Sequence, residues 1–176
     1  MPHIHTNPGQ HDHTVSIYLF RTDLDEPKVL LHLHRKAGIY AQFGGHIELD
    51  ETPWQAATHE LEEEAGYKLS EVQLLQPFER MTSIGSAVIH PQPVVHITMN
   101  SFFDQTHFHT DVVYAMTANR PPKENPAENE SAELRLFTRD EIANLENTDE
   151  ITRSIALYIF DNCLEKWTPV APSEFK

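Results

Sequence analysis

The sequence predicts an α/β protein, with an α/β/α sandwich in which helices cover a mixed β-sheet. Segments rich in β-branched and aromatic residues lie before and after one amphipathic helix, which is predicted at residues 52–66. Two further helical segments follow toward the end of the chain. This order of elements is typical of a layered α/β domain. A length of 176 residues suits one domain with a sizeable core.

The first strands are predicted at residues 13–21 and 28–35, on either side of a turn. In the second strand, His32 and His34 alternate with leucines, which predicts a polar or half-buried face. Residues 1–12 are interpreted as a flexible arm. A metal site at its spaced histidines is the alternative, but the nearby proline and glycine favour the arm. Residues 36–43 are predicted to be a short linker.

The central helix has clear signals at both ends. Thr52 is a good N-cap, Pro53 suits the first helical position, and Gln55 completes a Thr-x-x-Gln capping box. Gly66 supplies the C-terminal stop. At about 100° per residue, one face of the helix is apolar. The residues on that face are Trp54, Ala57, Leu61 and Ala65.

The same helix carries an unfavourable concentration of acids. Glu60, Glu63 and Glu64 gather on one face, and Glu62 adds a fourth carboxylate in the half of the helix where the macrodipole favours cations. A local rule broken without compensation often marks a functional site. A hard divalent cation such as Mg²⁺, with its preference for oxygen ligands, is the simplest missing partner. A solvated acidic face is the structural alternative.

The second half of the chain returns to strands and ends in helices. Thr138 is a predicted N-cap, and residues 118–130, with three prolines, are the clearest loop. Asp104, Gln105 and Thr106 are predicted to connect two strands of a hairpin. The predicted strands are residues 71–80, 94–103, 107–117 and 133–137, and the predicted helices are residues 138–145 and 150–167.

Alternation along the strand at 107–117 places His107, His109 and Asp111 on one face. This face is predicted to line a ligand cleft, where the side chains would bind substrate. An exposed polar face is the alternative that the spacing allows equally.

Charge and composition exclude several classes of partner. The formal net charge of −14 argues against a nucleic-acid polymer, but a small phosphorylated substrate is compatible because bound metal changes the local field. The single cysteine, Cys163, cannot form an internal disulfide and fits a reducing cytoplasm. We expect no membrane contact and no secretory signal, since no long apolar run is present. A homodimer is kept open.

The stretch around the helix resembles the Nudix box, a loop–helix–loop signature. Gly45, five residues, Glu51, seven residues, and then His-Glu-Leu-Glu-Glu-Glu-Ala-Gly-Tyr at 59–67 match every glycine and glutamate of that pattern. Two positions depart: His59 replaces an arginine that braces the metal-binding glutamates in the family, and Tyr67 replaces an aliphatic residue. Element order extends the resemblance to about residues 13–167, leaving residues 168–176 as a C-terminal tail.

The resemblance implies a Nudix-like sandwich and Mg²⁺-dependent hydrolysis of a nucleoside diphosphate linked to another moiety, with Mn²⁺ as a second suitable ion. By position, Glu60, Glu63 and Glu64 would bind the metal, with the Gly45 carbonyl as a further ligand. Glu51 would hold the loop against the helix. The general base is a helix glutamate or a carboxylate from a distant loop. The loop candidates are Glu128, Glu130 and Glu133.

Two rivals share the fold. A Nudix-like domain that binds a ligand without hydrolysis would act as a regulator, and the replacement at His59 is its only support. An isoprenoid diphosphate isomerase would need a catalytic cysteine near the site, and Cys163 on the predicted terminal helix is badly placed. Cys163 is better interpreted as a small core residue.

Overall fold

The computed structural model describes residues 7–101, 106–128 and 130–175. Within these residues three α-helices flank one sheet of nine strands. The strands are β1 His11–Arg21, β2 Lys28–His34, β3 Tyr40–Ala41, β4 Phe43–His46, β5 Val72–Gln76, β6 Val95–Asn100, β7 Phe108–Ala118, β8 Ser131–Phe137 and β9 Thr168–Val170. The helices are α1 Pro53–Ala65, α2 Arg139–Ala143 and α3 Glu150–Asn162, with short 3-10 turns at Leu69–Glu71 and Pro172–Glu174. No described helix is long and apolar enough to cross a membrane.

Strand β1 lies in the middle of the sheet and pairs with three other strands, as β2 and β7 also do. β7 runs parallel to it along its whole length. β2 pairs antiparallel with its C-terminal part, and β4 pairs antiparallel with Thr14–Ile17 in its N-terminal part. The remaining pairings are antiparallel, and the main order is β3-β2-β1-β7-β5-β9. The predicted mixed sheet is therefore confirmed.

Alternation along β1 separates two hydrophobic cores. Val15, Ile17 and Leu19 pack with the apolar residues of α1, including Trp54 and Leu61. On the other face of β1, Tyr18 and Phe20 belong to a second core together with Ala156 and Ile159 of α3. Helices thus cover both faces of the sheet, as the α/β/α sandwich predicted from the sequence requires.

The structure differs from the sequence-based prediction in the segments around the strands. The predicted linker at 36–43 contains β3 and the start of β4, and both become strands through pairing with β2 and β1. The stretch assigned to a C-terminal tail contributes β9, which pairs with β5. α3 ends at Asn162, five residues before the predicted end at 167. His3 and His5 of the arm, and Asp104 and Gln105 of the predicted hairpin, lie outside the described residues.

Candidate active site

Helix α1 begins and ends as its sequence predicts. The Thr52 hydroxyl accepts from the Gln55 N–H at 3.3 Å, and the Gln55 side chain accepts from the Thr52 N–H at 2.9 Å. Gly66 ends the helix in the left-handed conformation, with φ of 71°. A β-carbon at Gly66 would approach the Glu124 carbonyl oxygen to 2.3 Å, because the loop after β7 packs against this helix end. Glycine is therefore required here for conformation and for space.

Burial divides the predicted metal ligands of α1. Glu60 and Glu64 are both 6% exposed, and they lie one helical turn apart on the side that faces a cavity. Glu63 is exposed and does not line that cavity among the described residues. The helix therefore aims two of the three predicted carboxylates inward.

Burial makes both inward-facing carboxylates hard to ionise. Burial, followed by the charge of Glu63, raises the pKa of Glu60 to about 7. Burial and then the neighbouring charge of Glu60 raise the pKa of Glu64 to about 9, although the Gly44 N–H donates to Glu64 Oε2 at 2.8 Å and opposes the shift. Two buried carboxylates beside each other are stabilised most directly by a cation between them.

The glycine pair before α1 brings backbone close to these carboxylates. Gly44 has φ of 146°, and a β-carbon there would lie 2.1 Å from the Val15 carbonyl oxygen of β1. Only glycine fits this approach. Gly45 follows it in β4 and lines the same cavity as Glu60 and Glu64. The structure thus brings the predicted Gly45 and the two buried glutamates together.

His59 has a different neighbour from the one expected of a residue that braces the metal-binding glutamates. Its Nδ1 lies 2.9 Å from Glu51 Oε2, and its side chain is 68% exposed. Glu51 Oε1 also accepts from the Glu48 N–H at 2.9 Å. The pair links the loop to the helix, in agreement with the role predicted for Glu51. His59 does not line the cavity among the described residues.

The cavity next to α1 has a volume of about 740 Å³. From β7 it is lined by His109 and Asp111, so the predicted polar face and the Nudix box meet at one site. His107 is buried beside them, with its Nε2 3.2 Å from His109 Nε2, and it does not line the cavity among the described residues. Burial raises the pKa of Asp111, whose Oδ1 accepts from the Thr14 hydroxyl at 2.8 Å.

The loop after β7 is fastened to the end of α1. The Ala127 N–H donates to the Glu63 carbonyl oxygen at 2.6 Å, and the Ser131 hydroxyl donates to the Glu64 carbonyl oxygen at 2.8 Å. These bonds occupy carbonyls that a helix end leaves without intrahelical partners. They also fix Glu130, which lines the cavity with Glu60 and Glu64.

The three loop carboxylates proposed as bases are therefore not equivalent. Glu130 lines the main cavity and its charge contributes to the raised pKa values of both Glu60 and Glu64. Glu133 instead accepts from the Tyr40 hydroxyl at 2.9 Å. Glu128 lines a smaller neighbouring cavity.

His32 is a neighbour of Glu64 that the sequence did not connect with the site. Its Nδ1 lies 3.8 Å from Glu64 Oε1 and 2.9 Å from Ser131 Oγ. Burial lowers the pKa of His32 to about 4 while the pKa of Glu64 is raised, so this contact is between two neutral groups rather than an ion pair. Because the Ser131 hydroxyl proton goes to the Glu64 carbonyl, His32 Nδ1 carries the proton in the bond to Ser131.

Other lining residues were also missed, because they come from elements distant in sequence. They are Thr14 and Ser16 of β1, Gln42 between β3 and β4, and Asp149 and Thr152 at the start of α3. Alternation in β1 was the one available signal, since it places Thr14 and Ser16 on the same face. The ligand that can contact this face of β1 is determined by how α3 packs beside it.

Cys163 lies in the core under α3 and is fully buried. Burial raises the pKa of its thiol to about 11. This agrees with a structural role and leaves no support for the isomerase rival, which needs a reactive cysteine at the site.

Comparisons with known proteins agree with the fold and the motif. A family model described as NUDIX domain matches residues 10–158. A NUDIX-family hydrolase structure from Clostridium perfringens shares 29% identity with a TM-score of 0.67, covering 85% of this chain and 96% of that chain. The C. elegans Ap4A hydrolase shares 14% identity with a TM-score of 0.60, over 86% of this chain and 98% of that one. The NUDIX domain of Shewanella oneidensis NrtR, in complex with ADP ribose, shares 14% identity with a TM-score of 0.62, over 89% and 90%. A search of curated proteins gave no match.

Three findings define the class of protein: the α/β/α sandwich, the acidic helix beside a cavity, and the match of the family model to residues 10–158. The chain belongs to the Nudix family. It is a Nudix pyrophosphohydrolase. The family generally uses divalent metal ions, and the buried oxygen donors of Glu60 and Glu64 fit such an ion. Among the described residues, no group of three or more acidic, histidine or cysteine side chains is already arranged to hold a metal ion.

Proposed function

We propose that this protein hydrolyses the diphosphate linkage of a nucleoside diphosphate attached to another group, with Mg²⁺ as the cofactor and Mn²⁺ as a substitute. The observation that carries the proposal is the pair of buried carboxylates, Glu60 and Glu64, facing a cavity large enough for a nucleotide. Their raised pKa values show that burial disfavours their charge, which a bound cation would restore.

Glu60, Glu63 and Glu64 would hold the metal, together with the Gly45 carbonyl. Glu63 is the exposed member of this set and does not line the cavity among the described residues, so its assignment rests on the motif. When bound, a divalent ion neutralises charge on the diphosphate and orients it for attack by water. The Gly44 N–H keeps Glu64 in place by donating to its Oε2.

Glu130 is our choice for the general base among the three loop carboxylates. It lines the cavity and is exposed, so water reaches its carboxylate and the carboxylate can accept a proton from the attacking water. Two backbone-directed hydrogen bonds, from Ala127 and Ser131, hold the loop that carries it against α1. The base would then be positioned by the same helix that carries the metal ligands.

The histidine face of β7 would bind the substrate. His109 lines the cavity directly, and His107 positions it through the 3.2 Å contact between their Nε2 atoms. Imidazole N–H groups can donate to phosphate or ribose oxygens. Asp111 would also contact the substrate from this wall of the cavity. Among the described residues, its Oδ1 accepts a hydrogen bond from the Thr14 hydroxyl and not from a histidine.

The test is a turnover measurement with Mg²⁺ across a panel of compounds. Solved neighbours described as an Ap4A hydrolase, an ADP-ribose complex and a UDP-X diphosphatase suggest the panel: diadenosine tetraphosphate, ADP-ribose and UDP-glucose. We expect cleavage of at least one to yield a nucleotide product, and no cleavage in EDTA. Binding of these compounds without any turnover would favour the alternative, a ligand-binding regulator, for which the replacement at His59 is the motivating feature.

A cytoplasmic location and the lack of a nucleic-acid partner complete the proposal, with a homodimer and a monomer both kept open. The net charge of −14 opposes polyanion binding. Light scattering of the purified protein measures the oligomeric state, and electrophoretic mobility shift with DNA and RNA tests the excluded partner.

A further inference from the structure

The part of the cavity next to α3 contains a fixed side-chain amide. Gln42 Nε2 donates to Ser16 Oγ at 3.1 Å, and Gln42 Oε1 lies 2.8 Å from the Thr152 hydroxyl, whose single proton is shared between this oxygen and Asp149 Oδ2. Ser16 and Thr152 are 4% and 2% exposed, so the two hydroxyls that hold the amide are themselves held by packing. All three side chains line the cavity. Gln42 is therefore a preorganised polar group in a ligand-sized space.

Counting protons shows why this amide can still bind a ligand. An amide side chain offers two N–H donors and two lone pairs on its oxygen. The bonds to Ser16 and Thr152 use one donor and one lone pair. Within the described part of the chain, one N–H and one lone pair of Gln42 are left for a ligand. They form an adjacent donor and acceptor with a fixed direction.

The surroundings indicate that the group bound here is uncharged. Asp149, at the start of α3, is among the lining residues, and its carboxylate repels a phosphate. The cations that line the cavity, Arg35 and Lys36, come from the turn between β2 and β3. Hydrophobic side chains, among them Ile39 and Ile155, also line the cavity. The diphosphate therefore belongs near α1 and Arg35, and a neutral group belongs beside Gln42.

We propose that Gln42 determines substrate specificity by reading a neutral group that presents a hydrogen-bond donor beside an acceptor, with Ser16 and Thr152 fixing its orientation. The inference rests on the proposed function, because it takes the diphosphate to lie at the α1 end. Two parts of a nucleoside diphosphate derivative carry this chemistry: the edge of a nucleobase and the hydroxyls of a sugar. A site built to hydrogen-bond a group strongly rejects an analogue that lacks it.

The test measures binding independently of hydrolysis. Methylene-bridged analogues of ADP-ribose and UDP-glucose, which resist cleavage of the diphosphate, are titrated calorimetrically into the full-length protein with Mg²⁺. Gln42→Leu removes the donor and acceptor at similar volume, and Thr152→Val removes the hydroxyl that orients the amide. We expect Gln42→Leu to weaken at least one analogue by about ten- to a hundredfold, and Thr152→Val to weaken it by a smaller factor in the same direction.

The matched control is Thr58→Val, which removes a hydroxyl bonded to the Gln55 carbonyl on the exposed side of α1. Its affinity for the analogues should equal that of the parent. Equal affinity in Gln42→Leu and the parent, with both folded by circular dichroism, would overturn the inference. Affinity for Mg²⁺ should be unchanged in Gln42→Leu, whereas a loss of metal binding would assign Gln42 to the α1 end and also overturn it.

Analogue pairs then identify the group that is read. N6-dimethylated adenine removes the base donors, and a deoxy sugar removes single hydroxyls. The modification that weakens binding to the parent but not to Gln42→Leu marks the partner of the amide. Gln42-dependent binding without turnover of any compound would refute the proposed hydrolysis while supporting this inference, so the two failures are distinguishable.

Discussion

The two ends of the cavity are built in opposite ways. At the α1 end, Gly45, Glu60 and Glu64 come from one continuous stretch of 23 residues, and helix geometry sets the spacing of the glutamates. At the α3 end, Ser16, Gln42 and Thr152 come from a strand, a strand junction and a helix, and the Thr152–Gln42 bond spans 110 residues. The first end is a local motif, whereas the second exists only after the sheet and α3 have packed.

The two ends of the cavity therefore suit different functions. The local end carries groups suited to the chemistry that is common to a family, and the assembled end carries groups suited to choosing one substrate. A substitution at the α1 end should therefore change turnover, and one at the α3 end should change affinity. The following experiments separate these effects.

Removing a buried carboxylate at the α1 end should have the largest effect. We expect Glu64→Gln to reduce Mg²⁺-dependent turnover by about a thousandfold or more, since the negative charge and one of the two carboxylate oxygens are lost. Steady-state kinetics with Mg²⁺ titration measures this, with the exposed Glu62→Gln as control. Glu63→Gln should also reduce turnover. If Glu63→Gln and Glu64→Gln both match the parent, the metal assignment is wrong.

Removing the loop carboxylate proposed as the general base should have the next largest effect on turnover. We expect Glu130→Gln to reduce kcat by about a hundredfold, with the affinity for Mg²⁺ nearly unchanged, because proton abstraction from water is lost while the carboxylates of α1 remain. Glu133→Gln, which removes the charge but keeps an oxygen that can accept from the Tyr40 hydroxyl, is the matched control. A kcat for Glu130→Gln equal to that of the control would return the role of base to a helix glutamate.

Substitutions on the histidine face of β7 test whether His107 and His109 act in metal binding or in substrate binding. We expect His109→Ala to raise KM or lower kcat/KM by about tenfold, at constant affinity for Mg²⁺, and His107→Ala to do so more weakly. The exposed His13→Ala on β1 is the control. A collapse of metal affinity would move these histidines into the metal site, and unchanged constants would leave them as a polar face without a ligand.

Stability should depend on pH in the metal-free protein. The pKa of folded Glu64, about 9, is above its unfolded value, so this group contributes stability at low pH that is lost as pH rises toward 9. His32, whose folded pKa of about 4 is depressed, acts in the opposite direction but only below about pH 6.5. In EDTA, Tm should therefore fall by a few degrees, on the order of 3 °C, between pH 7 and 9. Glu64→Gln should remove most of this slope, and a slope equal to that of the parent would contradict the shifted pKa.

Replacing His59, which differs from the arginine of the Nudix pattern, should have the smallest effect on turnover. His59 pairs with Glu51 and is mostly exposed, so His59→Arg exchanges one surface partner of Glu51 for another. Exposed pairs contribute about 0.2–1 kcal/mol, so turnover should be retained or rise by no more than about fivefold. A large loss of turnover in a folded His59→Arg protein would show that the histidine has a role of its own.

Much of the fold could be predicted because its signals are local. Thr52, Gln55 and Gly66 fix the ends of α1 through their own hydrogen bonds and backbone conformation, and both were predicted correctly. β3 and β4 were missed because two- and four-residue strands have little periodicity, and their pairing partners are elsewhere in the chain. β9 was missed for the same reason, as Thr168–Val170 becomes a strand only beside β5.

By itself, the sequence determined the family, the helix and the three acidic positions, because residues three and four apart on a helix must be neighbours. It could not determine which carboxylates would be buried. Glu60 and Glu64 face inward and Glu63 does not, since the packing of α1 on β1 and β4 sets the rotation of the helix. The position of Glu130, held by Ala127 and Ser131, and the clamped amide of Gln42 are likewise consequences of tertiary structure. Contacts between residues far apart in the chain, such as Ser131 with Glu64 and Thr152 with Gln42, leave no periodic trace in a sequence, so only the folded chain reveals them.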